Sequence, residues 1–577
     1  MRYPNKKSVC FLFLIISVFS YRLIFPQIKA DKIDALLNQY YKFQEFNGAA
    51  LVAEKGRVIY KNGFGMANME WNIPNTPDTR FRLGSITKQF TAMLTMQLVE
   101  EGKLKLNVPI KTYIPDYPKE QGEKVTIHQL LTHTSGIPNY TDQPSFAGIM
   151  RNPITPIYLI KTFWNLPLEF KPGTKFKYSN SGYIVLGYII EKITGKTYEE
   201  MLKEKIFEPL GMKNSGYDHT AYIIPKRASG YNKIGTDYFN TQYIDMSVPY
   251  SAGSICSTIE DLYLWDQALY TSKLLSKKYM DKIFTPYSKP PFADGYGYGW
   301  GLSKKYFDGL KDTLNIVAHG GTINGFNSII LRITNDRDLI VLLNNTGVTN
   351  LNEISNKIID ILYDQPYEMP EKPLLLSFSE VLKKNGIDEA VNFYSKKIEQ
   401  GKEIPEMLMN LLGYNFLNKK QYKKAIGVFK LNIKAYPESF NVYDSYGEAL
   451  MAAGDKDKAI ETYKKSIELN PRNTNGIEKL KELGVKIESN IDTKIYNLLV
   501  GKYELNPQFS LTVTKDGAKL YVQGTGQQKI EVFPVSELEY YSNIVNAQIT
   551  FVKDENGTIF KLILHQNGKD MPATRIK

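Results

Sequence analysis

Between residues 400 and 480 the chain keeps one strict period. Gly413, Ala425, Phe429 and Pro437 recur as Gly447, Ala459, Tyr463 and Pro471, each 34 residues further on. Four residue types held at one spacing leave few folds open. Self-similarity at a fixed period of this length marks a repeat architecture. Ala390 and Tyr394 form a weaker earlier copy, offset by 35. The flanking regions do not share this period. From 31 to 370, β-like runs mix with helical ones. Gly48 to Tyr60 predicts two strands around Lys55-Gly56, and Ser85 to Glu101 a helix whose apolar residues cover more than one face. Gly182 to Ile193 predicts a second apolar helix closed by Gly195, with buried strands at Asn327 to Ile333 and Leu339 to Leu343. This order predicts an α+β domain with helices against a mostly antiparallel sheet. After Lys494, alternating runs such as Ala547 to Val552 and Phe560 to Leu564 lie between turns at Lys515-Asp516-Gly517 and Asp554 to Gly557. They predict a small antiparallel β-domain.

The 34-residue period, with small residues where two helices would cross and proline at the turn, resembles the α-helical tetratricopeptide repeat. About two and a half copies are marginal for a free solenoid, which favours repeats packed on neighbouring domains. The N-terminus reads differently again. Arg2, Lys6 and Lys7 precede an apolar run from Val9 to Tyr21, then come Arg22 and the small residue Ala30. Thirteen apolar residues are too few to span a bilayer, so residues 1–30 read as an export signal cleaved near Ala30, the other reading being an N-terminal anchor. The expected destination is the periplasm or the medium, with no membrane span once the leader is removed. Expected domains are then 1–30, 31–370, 371–490 and 491–577. Only Cys10 and Cys256 are present, which excludes a disulfide scaffold and a thiolate zinc cluster. The net charge of +12 invites a nucleic-acid reading, but five of the basic residues lie in 1–30. Residues 31–370 hold 37 basic against 34 acidic, and no later region concentrates the excess, so no nucleic-acid partner is expected.

Ser85-Ile86-Thr87-Lys88 is the one Ser-x-x-Lys in the chain. That spacing puts both side chains on one helix face, the hydroxyl at the N-terminal end, where the helix dipole favours developing negative charge. A desolvated lysine can lose its proton and act as base. Alone, the motif reads equally as a capping serine followed by a surface lysine. Tyr178-Ser179-Asn180 offers a tyrosine to share the base role and an amide for substrate; its other reading is a core tyrosine. His319-Gly320-Gly321-Thr322 enters a strand, where two glycines let a backbone approach closely or mark a bulge. His128, His133, His219 and His565 show no metal-ligand spacing, and there is no G-x-S-x-G elbow, so neither metal nor cofactor is expected.

The order of these motifs, 93 and then 141 residues apart, resembles the serine β-lactamase and penicillin-binding-protein superfamily. Its class C β-lactamase-like branch, with D-aminopeptidases, DD-carboxypeptidases and esterases, is the nearest likeness. Leu130 to Pro138 (LLTHTSGIP), Glu208 to Met212, Ala252 to Leu262 and Gly295 to Leu302 (GYGYGWGL) look like the same branch. The resemblance implies an acyl-enzyme on Ser85, proton handling by Lys88 and Tyr178, and substrate positioning by Asn180, His319, Gly320 and Gly321. It also implies an oxyanion hole from the backbone N–H groups of Ser85 and Thr322. One departure bears on substrate. Penicillin-recognising members usually begin the third motif with lysine; here it is His319, mostly neutral at pH 7. That favours an esterase or a peptidase of other specificity over action on a β-lactam or a carboxylate-terminated peptide. The expected activity is an exported serine hydrolase cleaving an ester, amide or cell-wall-type peptide, the alternative being a β-lactamase or DD-carboxypeptidase proper. A reading of another class is a catalytically weak binding protein that recruits a protein partner through its helical repeats.

Overall fold

The computed structural model describes residues 27–576 apart from 308–312, 348, 486–491, 543, 546 and 567–568. The apolar run expected to direct export therefore lies outside the described residues. The chain forms two compact units that divide between Pro373 and Leu374.

In the first unit a seven-stranded antiparallel sheet runs in the order Gly295–Tyr296, Gly301–Lys305, Leu314–Ile323, Phe326–Ile333, Asp338–Asn344, Gly48–Glu54, Arg57–Phe64. The two expected strands around Lys55-Gly56 form its far edge. Central strands are apolar on both faces, as strands covered twice must be. Ala50, Val52, Ile329, Leu331, Ile340 and Leu342 pack against a helix over 27–42 and helix Leu351–Leu362. The alternate residues Ala49, Leu51, Ile330, Val341 and Leu343 face the larger core, which holds helices Thr87–Glu100, Asn180–Thr194 and Ile259–Ala268. Ala30 lies inside the helix over 27–42, and the neighbouring Lys29 ammonium sits 2.8 Å from Glu54 and 2.5 Å from the Leu362 carbonyl. Two buried ion pairs tie helices and loops to strands. Arg332 Nε donates to Asp266 at 2.6 Å, linking Phe326–Ile333 to Ile259–Ala268. Arg82 Nε donates to Asp218 at 2.7 Å. Cys256 is buried in strand Ile255–Ser257, and burial pushes its thiol up to about 12.

The second unit contains the repeats and the β-domain. Helices Leu374–Asn385 and Ile387–Glu399, Glu406–Asn418 and Tyr422–Ala435, and Phe440–Ala453 and Lys456–Leu469 form three hairpins closed by Thr474–Glu482. The 34-residue period has a direct cause here. A Cβ on Gly413 would lie 2.5 Å from the Phe429 ring, and one on Gly447 2.8 Å from the Tyr463 ring. The weak early copy is a complete hairpin, with Tyr394 packed edge-on against Phe378. The antiparallel β-domain closes into an eight-stranded barrel, because Gly501–Asn506 pairs with Lys569–Ile576 as well as with its sequence neighbour. Alternation in the sequence shows the strands, but closure depends on pairing between chain ends, which no local pattern reports. Arg472 of the last repeat meets Glu539 of the barrel at 3.0 Å, and Lys481 lies over the Phe533 ring at 4.9 Å. Among the described residues no helix is long and apolar enough to cross a membrane.

Candidate active site

Ser85 sits in a single 3-10 turn, Gly84–Ile86, that runs straight into Thr87–Glu100. Gly84 has φ +55°, and a Cβ there would press on the Thr322 backbone at 3.0 Å. Glycine therefore serves both the turn and the approach of the third-motif strand. The helix is buried from Thr87 to Leu98, which is why its apolar residues show no single face.

One turn beyond Ser85, Lys88 is fully buried. Its Nζ lies 3.0 Å from Ser85 Oγ, 2.8 Å from Asn180 Oδ1 and 2.8 Å from the Ala252 carbonyl. It also sits 5.0 Å from the centroid of the Tyr178 ring. Among the described residues no carboxylate pairs with it, and burial holds its pKa well below the usual lysine value. Two of its three partners are carbonyl oxygens that can only accept. A neutral amine has two N–H groups and one lone pair, so the carbonyls take the two hydrogens and the lone pair is left for the Ser85 hydroxyl.

Tyr178 lies two residues before helix Asn180–Thr194, with its hydroxyl close to Ser85. Burial raises its pKa, so the phenol keeps its proton. Behind it the His133 ring is stacked at 4.2 Å between centroids and 30° between planes. Asn180 gives its carbonyl to Lys88, while its backbone N–H donates to Asn139 Oδ1 at 3.0 Å. Its amide N–H group meets Thr141 only at 3.4 Å and is open to a substrate.

The His319 motif lies on strand Leu314–Ile323. That strand pairs with Gly301–Lys305 only as far as Ala318, so from His319 onward one edge is open beside Ser85. Of the two motif glycines, Gly321 is the one the protein itself requires. A Cβ there would fall far inside contact distance of the Leu83 carbonyl oxygen, whereas one on Gly320 would meet Ser328 O at 3.6 Å. Close approach therefore involves the protein's own Ser85 turn as well as any substrate. His319 keeps some solvent exposure as a residue, yet burial of its ring pushes its pKa below the usual imidazole value.

These groups open on a cleft of about 590 Å³ lined by Ser85, Tyr178, Phe292, Ala318, Thr322 and Asn350, among others. No Asp, Glu, Lys or Arg lines it among the described residues. All eight site residues expected from sequence thus gather at one place. His133, Tyr296 and the Ala252 carbonyl also belong to the assembly but carry no sequence signal of a role; each lies in a stretch that resembles the family without being singled out within it. Among the described residues no three His, Cys, Asp or Glu side chains converge as a metal site.

A beta-lactamase family model matches residues 33–361, more than half of the chain. The chain belongs to the beta-lactamase family. It is a serine hydrolase of that fold, and a tetratricopeptide repeat model matches residues 440–473. A penicillin-binding protein of Bacillus subtilis is 26% identical over 571 residues, covering 96% of this chain and the full length of the relative. The teichoic acid D-alanine hydrolase of Staphylococcus aureus is 28% identical over 342 residues, 59% of this chain and 79% of its own. The crystal structure of a D-amino acid amidase from Ochrobactrum anthropi aligns with TM-score 0.50 and 25% identity, covering 59% of this chain and 98% of the amidase.

Proposed function

We propose that this beta-lactamase family member hydrolyses an uncharged ester or amide through an acyl-enzyme on Ser85, with Lys88 as general base. The arrangement of Lys88 carries the reading: two carbonyls take its hydrogens, and its lone pair meets the Ser85 hydroxyl at 3.0 Å. The Ser85 proton passes to Lys88 as Oγ bonds to the substrate carbonyl carbon. The resulting oxyanion is held by the backbone N–H groups of Ser85 and Thr322, each such donor contributing roughly 3 kcal/mol. Tyr178, which keeps its proton, then donates to the leaving oxygen or nitrogen and is reprotonated from Lys88. Water enters and loses a proton to the same pair as it bonds to the acyl carbon; the bond to Oγ then breaks, the proton returns to Ser85, and the acid leaves. Asn180, anchored to Lys88, offers its amide hydrogens to the acyl portion.

Three observations support a neutral substrate. His319 is uncharged where a lysine would bind a carboxylate, no charged side chain lines the cleft among the described residues, and Asn327, Asn350 and Asn352 supply neutral polar contacts. The two relatives named as a teichoic acid D-alanine hydrolase and a D-amino acid amidase suggest D-aminoacyl esters and amides as a first panel, with the uncharged N-acetyl forms expected to be the better substrates here. We also propose export, on the basic, apolar, small-residue order of residues 1–30.

Intact-mass labelling with a fluorophosphonate and with a penicillin tests the mechanism. We expect a fluorophosphonate adduct on the native chain and none on Ser85→Ala; adduct on both, or on neither, removes Ser85 as nucleophile. We further expect kcat/KM on a p-nitrophenyl ester to exceed that on nitrocefin at neutral pH, and equal or reversed efficiencies would overturn the substrate assignment.

A further inference from the structure

Four hydrogen bonds run unbroken across the back of the site. The Ser179 N–H lies 3.1 Å from His133 Nδ1. His133 Nε2 lies 3.2 Å from the Tyr296 hydroxyl, which lies 3.0 Å from His319 Nε2. His319 Nδ1 lies 2.6 Å from the Gly320 carbonyl. Chemistry fixes both ends of this chain. A backbone N–H can only donate, so His133 Nδ1 accepts. A carbonyl can only accept, so His319 Nδ1 donates.

A neutral imidazole carries one ring proton. Burial keeps both rings neutral. The proton of His133 is therefore on Nε2, and that of His319 is on Nδ1. Tyr296 must then accept from His133 and donate to His319. One orientation satisfies every donor and acceptor, and it leaves neither nitrogen of His319 free.

We propose that Tyr296, backed by His133, is a positioning residue of the active site: it captures Nε2 of His319, fixes that ring in its Nδ1–H form, and so holds the Gly320 carbonyl and the strand edge bearing Thr322 against the Ser85 turn. His319 then acts as a strut and does not bind substrate through its ring. The same chain reaches the other side of the site, because His133 is stacked on Tyr178 and accepts from the residue next to it. Tyr296 thus ties the backing of Tyr178 to the third-motif strand, two segments far apart in sequence that must both meet Ser85.

This inference rests on the Ser85 mechanism for its effect on rate, but its tautomers are readable without any turnover. In the full-length chain labelled with 15N-histidine there are five histidines, and His319→Gln and His133→Gln identify the two signals sets of interest. The expected spectrum has His319 protonated on Nδ1 and bare on Nε2, with His133 the reverse. Tyr296→Phe should move the His319 Nε2 resonance to that of a nitrogen without a hydrogen-bond donor. It should also lower kcat on a p-nitrophenyl ester about tenfold while KM stays within about twofold, the loss expected for one positioning hydrogen bond. An Nε2–H tautomer at His319 would overturn the proposal, as would a His319 signal unmoved by Tyr296→Phe. If that variant does not fold, the native tautomers alone decide. Ser85→Ala must leave the pattern intact, so a failure of the nucleophile assignment is separable from a failure of the strut.

Discussion

At the scale of single residues, the site is organised by which atoms have no alternative partner. Lys88 has no carboxylate partner among the described residues, and its burial favours the uncharged amine, so catalysis should require no unusual alkalinity. The sign follows from the active form. If neutral Lys88 is the base, kcat/KM rises as pH climbs through its depressed pKa and then levels. The rising limb should lie well below the 10.5 of an ordinary lysine, and Lys88→Arg, which stays charged, should remove it with the activity. A pH–rate profile still climbing to 10.5 would contradict this. Gly321 gives a second test. Gly321→Ala forces the third-motif strand away from Leu83, and a displacement of about 1 Å there is expected to lower kcat/KM roughly hundredfold. Gly320→Ala, with 3.6 Å of room, should cost far less on the same p-nitrophenyl ester assay. Ser85, Lys88, Tyr178 and Asn180 were legible because local spacing and motif order survive in a single sequence. His133 and Tyr296 were not, since they meet 163 residues apart through a bond that any buried histidine and tyrosine can make.

At the scale of elements, sequence pattern located the strands and helices wherever burial is one-sided or glycine enforces an end. Gly195, at φ +68°, closes helix Asn180–Thr194 where the pattern places it. The repeat spacing reported a contact directly, because Gly413 and Gly447 each make room for one aromatic ring. Pairing between distant elements was harder to foresee. Arg332 and Asp266 are both buried, and the guanidinium is further enclosed by Tyr270 at 4.5 Å and Phe284 at 5.2 Å. Burial raises the Asp266 carboxyl despite Arg332, so the pair stays well matched only while both partners remain. Removing one strands a buried charge, and Asp266→Ala should destabilise the first unit by about 3–5 kcal/mol, read from urea unfolding. A change under about 1 kcal/mol would show the pair to be incidental to stability.

At the scale of the molecule, every residue placed in the site belongs to the unit that ends at Pro373. A chain ending there should keep fluorophosphonate labelling of Ser85, and loss of labelling in a folded fragment would assign the second unit a part in the chemistry. The sequence pattern sets residues 371–490 apart from 491–577, and contacts group the repeats and the barrel in one unit. The difference lies in side-chain meetings such as Arg472 with Glu539, which involve ordinary surface residue types and leave no periodic trace.

Cys256 gives this architecture a built-in clock. Its thiol is sealed in a strand paired with Phe81–Arg82, immediately before the Ser85 turn, and burial disfavours the reactive thiolate. In a Cys10→Ser background, a thiol reagent can reach it only when that part of the catalytic unit opens. The rate of modification under native conditions therefore measures how often the active site comes apart, in the absence of substrate and independently of turnover.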